Sequence, residues 1–159
     1  MNPIRKSTRN TILPLLFLGL MYSCETSDDS SMEITAIDIV ELKATVQSGT
    51  WVIAKYMENS IDKTSNFSGY EFDFGSDGVL NASNQTTSLS GAWSILSDSG
   101  NDDDSSDDDI DFNIFFTSPN NFAEISEDWE IVSYSSSRIE LTHTSGGDGS
   151  IGSLIFEKL

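Results

Sequence analysis

The alternation of apolar and polar residues between positions 67 and 96 constrains the fold more than any other feature of this chain. Tyr70, Phe72 and Phe74 occupy every second position, which is typical of a strand that buries one face. Turn-forming glycines follow at positions 75 and 78. Two more strand-like segments come next, residues 79–83 and an alternating segment with Leu89, Gly91, Trp93 and Ile95. The pattern predicts an antiparallel meander of three strands.

Further strand-like segments extend this meander in both directions. They lie at residues 51–58, 110–116, 127–135, 139–144 and 150–159. Short strands joined by hairpin-length turns predict an all-β, eight-stranded antiparallel up-and-down barrel. Such a barrel either fills its interior with side chains or holds one small ligand. The segments 59–66 and 118–121 are polar and predict a loop and a turn.

A short helix is predicted before the first strand. Ile39, Leu42 and Val46 have helical spacing, and Gly49 follows them as a natural stop. We therefore expect a helix over residues 38–48, although their β-branched content leaves a strand open as the alternative.

The charge balance excludes one broad class of partner. The chain has 26 Asp and Glu against 8 Lys and Arg, with a formal net charge of −18. A nucleic-acid surface needs basic residues to replace the counterions of phosphate, so no nucleic-acid partner is expected. A single cysteine, Cys24, rules out a disulfide within the chain.

The N-terminus has the three parts of a secretion signal. Arg5, Lys6 and Arg9 form a basic start, and residues 12–20 form an apolar run too short to span a bilayer. Ser23 directly before Cys24 resembles a bacterial lipobox, which implies cleavage after residue 23 and lipidation of Cys24. This divides the chain into a signal peptide (1–23), an acidic tether (24–33) and a barrel domain (34–159). The alternative is a secreted protein in which Cys24 is a free thiol.

The tether also contains a candidate localisation signal. Ser27-Asp28-Asp29 resembles the acidic signal that sends lipoproteins of Bacteroidetes-type bacteria to the outer face of the outer membrane. The resemblance implies an outer-membrane lipoprotein of the cell envelope, exposed at the surface and held to the membrane by its lipid. The alternative interpretation of the motif is a solvated linker.

The barrel segments resemble a known family. Gly49-Thr50-Trp51 matches the Gly-x-Trp signature of lipocalins, and residues 38–159 resemble the lipocalin-like domain of flavobacterial lipoproteins. The resemblance implies a barrel that binds a small apolar ligand. Lipocalins often pack an arginine from a late strand over the signature tryptophan, and here the last strand offers Lys158.

Large aromatic residues recur at the predicted inward positions. They are candidates to line a pocket for that ligand: Trp51, Tyr70, Phe72, Phe74, Trp93, Phe112 and Trp129. The alternative is that the same rings fill the barrel. The protein would then be a structural module, or an interaction module that meets a protein or a glycan on its outer surface. The size of the inward side chains distinguishes the two hypotheses.

An aspartate-rich segment interrupts the strands at residues 97–109. Its carboxylates are candidate calcium ligands: Asp102, Asp104, Asp107 and Asp109. Their spacing matches no defined calcium loop, so a solvated acidic loop is the favoured interpretation. No cofactor is predicted.

His143 is the single histidine of the chain. A hydrolase of the Ser-His-Asp type would need it beside a serine and an acid. No motif in the sequence sets up such a relay, so a non-enzymatic protein is expected and no catalytic residue is predicted.

Overall fold

The computed structural model describes residues 39–98, 109–147 and 149–159. Its helices and strands are, in chain order, α1 (Ile39–Gln47), β1 (Thr50–Glu58), β2 (Ile61–Asp62), β3 (Glu71–Phe74), β4 (Val79–Ser83), β5 (Ser88–Asp98), β6 (Asp109–Phe115), α2 (Asn120–Ala123), β7 (Asp128–Tyr134), β8 (Arg138–Thr144) and β9 (Ile151–Lys158). A 3-10 helix, Thr64–Phe67, lies between β2 and β3. No helix among these residues is long and apolar enough to cross a membrane.

Eight of the strands close into an antiparallel barrel, as the sequence predicts. From β3 to β9 each strand pairs with the next one in the chain, and β9 pairs with β1 to complete the ring. The closing pair runs from Trp51 opposite Lys158 to Glu58 opposite Gly152. β2 is an additional strand, which the sequence did not indicate.

The contact between β1 and β3 is the shortest junction of the barrel. Only Thr50 with Asp73 and Trp51 with Phe72 are paired there. Farther along β1, the backbone N–H of Tyr56 donates to the hydroxyl of Thr64 at 2.9 Å. The backbone carbonyl of Tyr56 accepts from the N–H of Lys63, also at 2.9 Å. The segment 61–67 therefore covers the part of β1 that β3 does not reach.

This segment corrects the prediction of a polar loop at 59–66. Asn59 and Ser60 adopt positive φ values of 48° and 68°, which lets the chain reverse directly from β1 into β2. Phe67 at the end of the 3-10 helix is 2% exposed. One buried ring thus holds an otherwise polar segment on the barrel.

Residues 118–121 correct a second prediction. The sequence predicted a turn, whereas the chain forms the short helix α2 after Pro119. Its Phe122 is fully buried, and burial of that ring fixes the helix against the barrel. β8 begins at Arg138, one residue before the strand predicted at 139–144.

The two ends of the barrel are closed by different elements. Leu42 and Val46 of α1 are buried at the end where β1 begins, which we call the α1 end. Phe67, Phe122 and Ile125 are buried at the opposite end, which we call the α2 end. The helix predicted at 38–48 is thus found at Ile39–Gln47 and acts as one of these closures.

Candidate functional site

The barrel interior is the site that the sequence singled out, and aromatic rings occupy its half near the α1 end. Phe74 on β3 is the centre of this group. Its ring centroid lies 5.3 Å from that of Trp93, 5.8 Å from Phe112 and 5.6 Å from Phe156. These residues belong to β3, β5, β6 and β9. The rings therefore meet across the barrel as well as along its wall.

A second group of rings fills the α2 end around Phe122. Its centroid lies 5.3 Å from that of Phe67, 5.0 Å from Tyr70 and 5.0 Å from Phe116. Phe72 stacks on Phe122 at 6.0 Å and touches the first group through Phe156, at 5.5 Å. The two groups are thus one continuous network from one end of the barrel to the other. Ring pairs at these distances attract each other beyond their simple burial.

The indole N–H groups of the three tryptophans donate to backbone carbonyls outside the barrel strands. The indole N–H of Trp51 donates to the carbonyl of Val46 in α1, at 2.8 Å. That of Trp93 donates to the Gly75 carbonyl at 2.9 Å, and that of Trp129 to the Ile125 carbonyl at 3.0 Å. Within the described ranges, no buried side-chain nitrogen or oxygen lacks a hydrogen-bond partner. The rings that a ligand would meet are therefore already tied to the backbone at their polar positions.

Polar interactions of Tyr56 and Lys63 hold the α2 end closed. The Tyr56 hydroxyl donates to the Glu124 carbonyl at 3.0 Å, which joins β1 to the chain just after α2. Lys63 forms ion pairs with Glu58 and Glu124. Burial, and then the nearby Glu58 carboxylate, raises the pKa of Tyr56 to about 12. Hydrogen bonds to Glu58 and Glu124 raise the pKa of Lys63.

Lys158 covers the other end of β1. Its Nζ atom lies over the Trp51 ring and donates to the hydroxyl of Ser48 at 2.9 Å. A lysine here takes the place over the signature tryptophan where the family resemblance implies an arginine. Its contacts link β9, β1 and the end of α1.

His143 lies on β8 near the α2 end and is partly exposed. Its Nδ1 is 3.0 Å from the carbonyl oxygen of Asp128, and its Nε2 is 3.5 Å from a carboxylate oxygen of Glu127. The edge of its ring contacts Trp129 at 5.9 Å between centroids. These contacts position the imidazole against β7, and no serine hydroxyl is among them.

The predicted site residues fall into two sets. Six of the seven aromatic candidates are buried, and Tyr70 is half-buried at the α2 end. Whether they line a ligand site stays a prediction. Lipidation of Cys24 and calcium binding by Asp102, Asp104 and Asp107 concern residues outside the described ranges. The backbone of Asp109 pairs with Asp98 at the start of β6.

The described residues offer no ready metal centre. No group of three or more His, Cys, Asp or Glu side chains comes together among residues 39–98, 109–147 and 149–159.

Comparisons with known proteins add one similar structure. No protein-family model matches the chain, and no curated protein matches it. The chain is similar to the crystal structure of a DUF4847 family protein from Bacteroides vulgatus, with 17% identity and a TM-score of 0.44. The match covers 73% of this chain and 96% of that one.

Sequence reasoning missed the residues that close the α2 end. Phe67, Phe122 and Ile125 are all buried, yet each lies in a short segment that resembles a loop. The one available signal was the isolated aromatic residue in each polar segment, since a large ring is seldom left in water when a core is near. The strand pattern of residues 51–58 gives no sign of the bond between Tyr56 and the Glu124 carbonyl.

Proposed function

We propose that this chain is a non-enzymatic, lipid-anchored envelope protein whose filled barrel serves as an interaction module. The observation that carries the proposal is the ring network across the interior. It runs from Trp93 and Phe112 through Phe74, Phe156 and Phe72 to Phe122 without a break. The positions at which a carrier would hold its ligand are thus taken by side chains.

An internal apolar ligand would have to displace these rings. Removing the contacts of one buried phenylalanine costs about 3–5 kcal/mol. A ligand must replace those contacts before it gains any affinity of its own. It must also open an end of the barrel. This requires either that α1 moves or that the hydrogen bond and ion pair of Tyr56 and Lys63 with Glu124 break. For these reasons we favour a filled barrel over a carrier of small molecules.

The anchor and the location are further parts of the proposal. Fourteen residues separate Cys24 from Ile39, the first residue of α1. Fully extended, such a segment reaches at most about 50 Å. A lipid on Cys24 would therefore keep the barrel close to an outer-membrane surface, with α1 as the element nearest the tether in sequence. The outer wall of the barrel is then the surface that meets partners.

The lack of enzymatic activity is proposed from His143, the one histidine. It contacts a backbone carbonyl, a carboxylate and an indole ring, which suits a structural role better than a nucleophilic relay.

Native mass spectrometry tests the filled barrel. The protein is purified from its own membranes without organic solvent and weighed under native and denaturing conditions. We expect the two masses to agree, because any lipid present is covalent. A native mass that exceeds the denatured mass by a small molecule, reproducibly and with one ligand per chain, would overturn the proposal.

A cavity variant provides the matched control. Phe74→Ala removes the ring at the centre of the α1-end group, and an apolar cavity of this kind binds small hydrocarbons. Benzene should raise the melting temperature of this variant and leave that of the wild type unchanged. An equal rise in both would show that the wild-type interior already has space.

A further inference from the structure

The barrel wall divides into two parts by charge. The described residues between 64 and 137, which include strands β3 to β7, contain ten Asp or Glu and no Lys, Arg or His. These strands are consecutive neighbours in the barrel. The basic residues of the described ranges all lie outside that stretch: Lys43, Lys55, Lys63, Arg138 and Lys158. One side of the barrel is therefore acidic without a basic residue on its strands.

Three of the seven large apolar side chains that are exposed among the described residues lie on the same side. Leu96 on β5 is 57% exposed, Phe115 on β6 is 58% exposed and Val132 on β7 is 50% exposed. Single exposed apolar residues need no explanation, but these three lie on adjacent strands. In each strand the neighbouring inward residue is buried, so the three side chains share the outer face.

The strand register places acidic residues between them. Leu96 is opposite Asp111, and Asp111 is opposite Glu130, so these residues form one row across the three strands. Val132 is the next outward residue on β7 after Glu130, beside a bulge in that strand. Phe115 lies four residues beyond Asp111 on β6, which is about 13 Å along the strand. The face thus has apolar side chains at its margins and carboxylates at its centre.

We propose that this outer face of β5, β6 and β7, the acidic-apolar face, docks a cationic amphipathic polypeptide segment. The face is defined by Leu96, Asp111, Phe115, Glu130 and Val132. Lysine or arginine side chains of the partner would meet the carboxylate row, and its apolar side chains would cover Phe115 and Leu96. Aromatic residues are preferred anchors of protein interfaces, and Phe115 is the aromatic residue of the face.

Charge selects this occupant over others. An anionic lipid surface and a nucleic acid are both repelled by a wall that lacks basic residues. A second copy of the chain docking through the same face would oppose like charges. A bare cation would leave the three apolar side chains exposed. A basic polypeptide with apolar side chains satisfies both features together.

The inference rests on the proposed role as an interaction module, but its test does not involve the interior. The full chain carrying Cys24→Ala is titrated by calorimetry with a synthetic helical peptide that has lysines on one face and leucines on the other. A second peptide of the same length and charge replaces each leucine with serine. We expect saturable one-to-one binding of the first peptide and an affinity for the second that is weaker by about tenfold or more.

Surface variants locate the binding. Phe115→Ser should weaken binding of the lysine-leucine peptide by about tenfold, as expected for the loss of an anchor. Glu130→Gln should weaken binding and reduce its dependence on salt. The matched control is Ile151→Ser on β9, where the side chain is 59% exposed but lies outside the acidic side. It should leave the affinity unchanged.

Two results would overturn the inference. One is equal binding of the two peptides, which would mean diffuse attraction to an acidic protein. The other is an equal effect of Phe115→Ser and Ile151→Ser, which would remove the face as the site. A small molecule found inside the barrel would contradict the filled interior and leave the peptide result unaffected, so the two failures are distinguishable.

Discussion

The Nζ atom of Lys158, on the last strand, lies 4.9 Å from the centroid of the Trp51 ring, on the first strand. The two residues are also backbone partners in the pair of strands that closes the barrel. Trp51 is fully buried and is hydrogen-bonded to α1, so this contact joins the barrel closure to the helix that covers one end. A cation over an indole face contributes about 0.5–1 kcal/mol at a site open to solvent.

Removing the charge at position 158 should therefore destabilise the barrel slightly. Lys158→Met keeps an unbranched apolar chain over the ring and should lower the free energy of unfolding by about 0.5–1 kcal/mol in urea titration. Lys158→Arg is the control and should retain the wild-type value, because a guanidinium also stacks on tryptophan. The account of this contact is wrong if Lys158→Met unfolds at the wild-type midpoint.

Phe122 should be the most sensitive residue outside the barrel strands. Phe122→Ala should lower the free energy of unfolding by about 3–5 kcal/mol, because its ring contacts four other rings in the α2-end group. Phe122→Leu fills part of the space, so its free energy of unfolding should fall by less. This variant keeps the comparison measurable if the alanine variant does not fold.

The control for this substitution is Phe115→Ala. Phe115 is a phenylalanine of the same barrel, but its ring points outward and is exposed. Its removal should change stability by no more than about 0.5 kcal/mol. Similar losses for the two alanine variants would contradict the assignment of Phe122 to the core.

Tyr56 should make stability fall at alkaline pH. Its pKa is raised from the ordinary value of 10.0 to about 12 in the folded protein. Between these values the unfolded chain releases the phenolic proton while the folded chain keeps it, so the free energy of unfolding decreases as the pH rises. Below pH 10 the contribution is fully present, and it is lost as the pH passes the folded value.

Urea titrations across this pH range measure the effect. The wild type should lose more stability between pH 9 and 11 than Tyr56→Phe, which lacks the titrating hydroxyl. Parallel slopes for wild type and Tyr56→Phe would contradict the raised pKa.

Cys24 should hold the protein on the membrane. Cys24→Ala removes the one thiol that a lipid could modify, so the chain should appear in the soluble fraction after cell lysis. Ser31→Ala, in the adjoining segment, is the control and should remain with the membranes. Radioactive palmitate should label Ser31→Ala and should not label Cys24→Ala. Continued membrane association of Cys24→Ala would show that another feature anchors the chain.

The sequence predicts the barrel wall well because each strand buries one face. The alternation of Phe72 and Phe74 with acidic residues is reproduced in the structure, where the acidic side chains are exposed and the rings are buried. The strand predicted at residues 79–83 forms β4 with the same bounds. A period-two pattern of this kind arises because one face of the strand is buried and the other is exposed. It can therefore be recognised from a single sequence.

The elements at the α2 end could not be predicted in the same way. β2, the 3-10 helix and α2 are too short to show a period, and contacts made only in the folded chain fix them. The amide of Asn121, for example, donates to the carbonyl of Asn66 at 3.2 Å and so joins two segments far apart in sequence. Lys63 reaches Glu124 across a similar separation.

The role of the interior could not be predicted either. A barrel lined for a ligand and a barrel filled with side chains have the same alternation along each strand. What separates them is whether the inward rings meet across the barrel, as Phe74 meets Phe112. That property depends on the three-dimensional arrangement, and the spacing of aromatic residues does not contain it.

The central claim is that side chains fill the barrel, and a crystal structure of the protein purified from its own membranes without delipidation tests it most directly. We predict that the rings of Phe72, Phe74, Phe112 and Phe156 will be in van der Waals contact, with no other electron density between them. A continuous non-protein density among these rings, with the rings moved apart to hold it, would contradict the account.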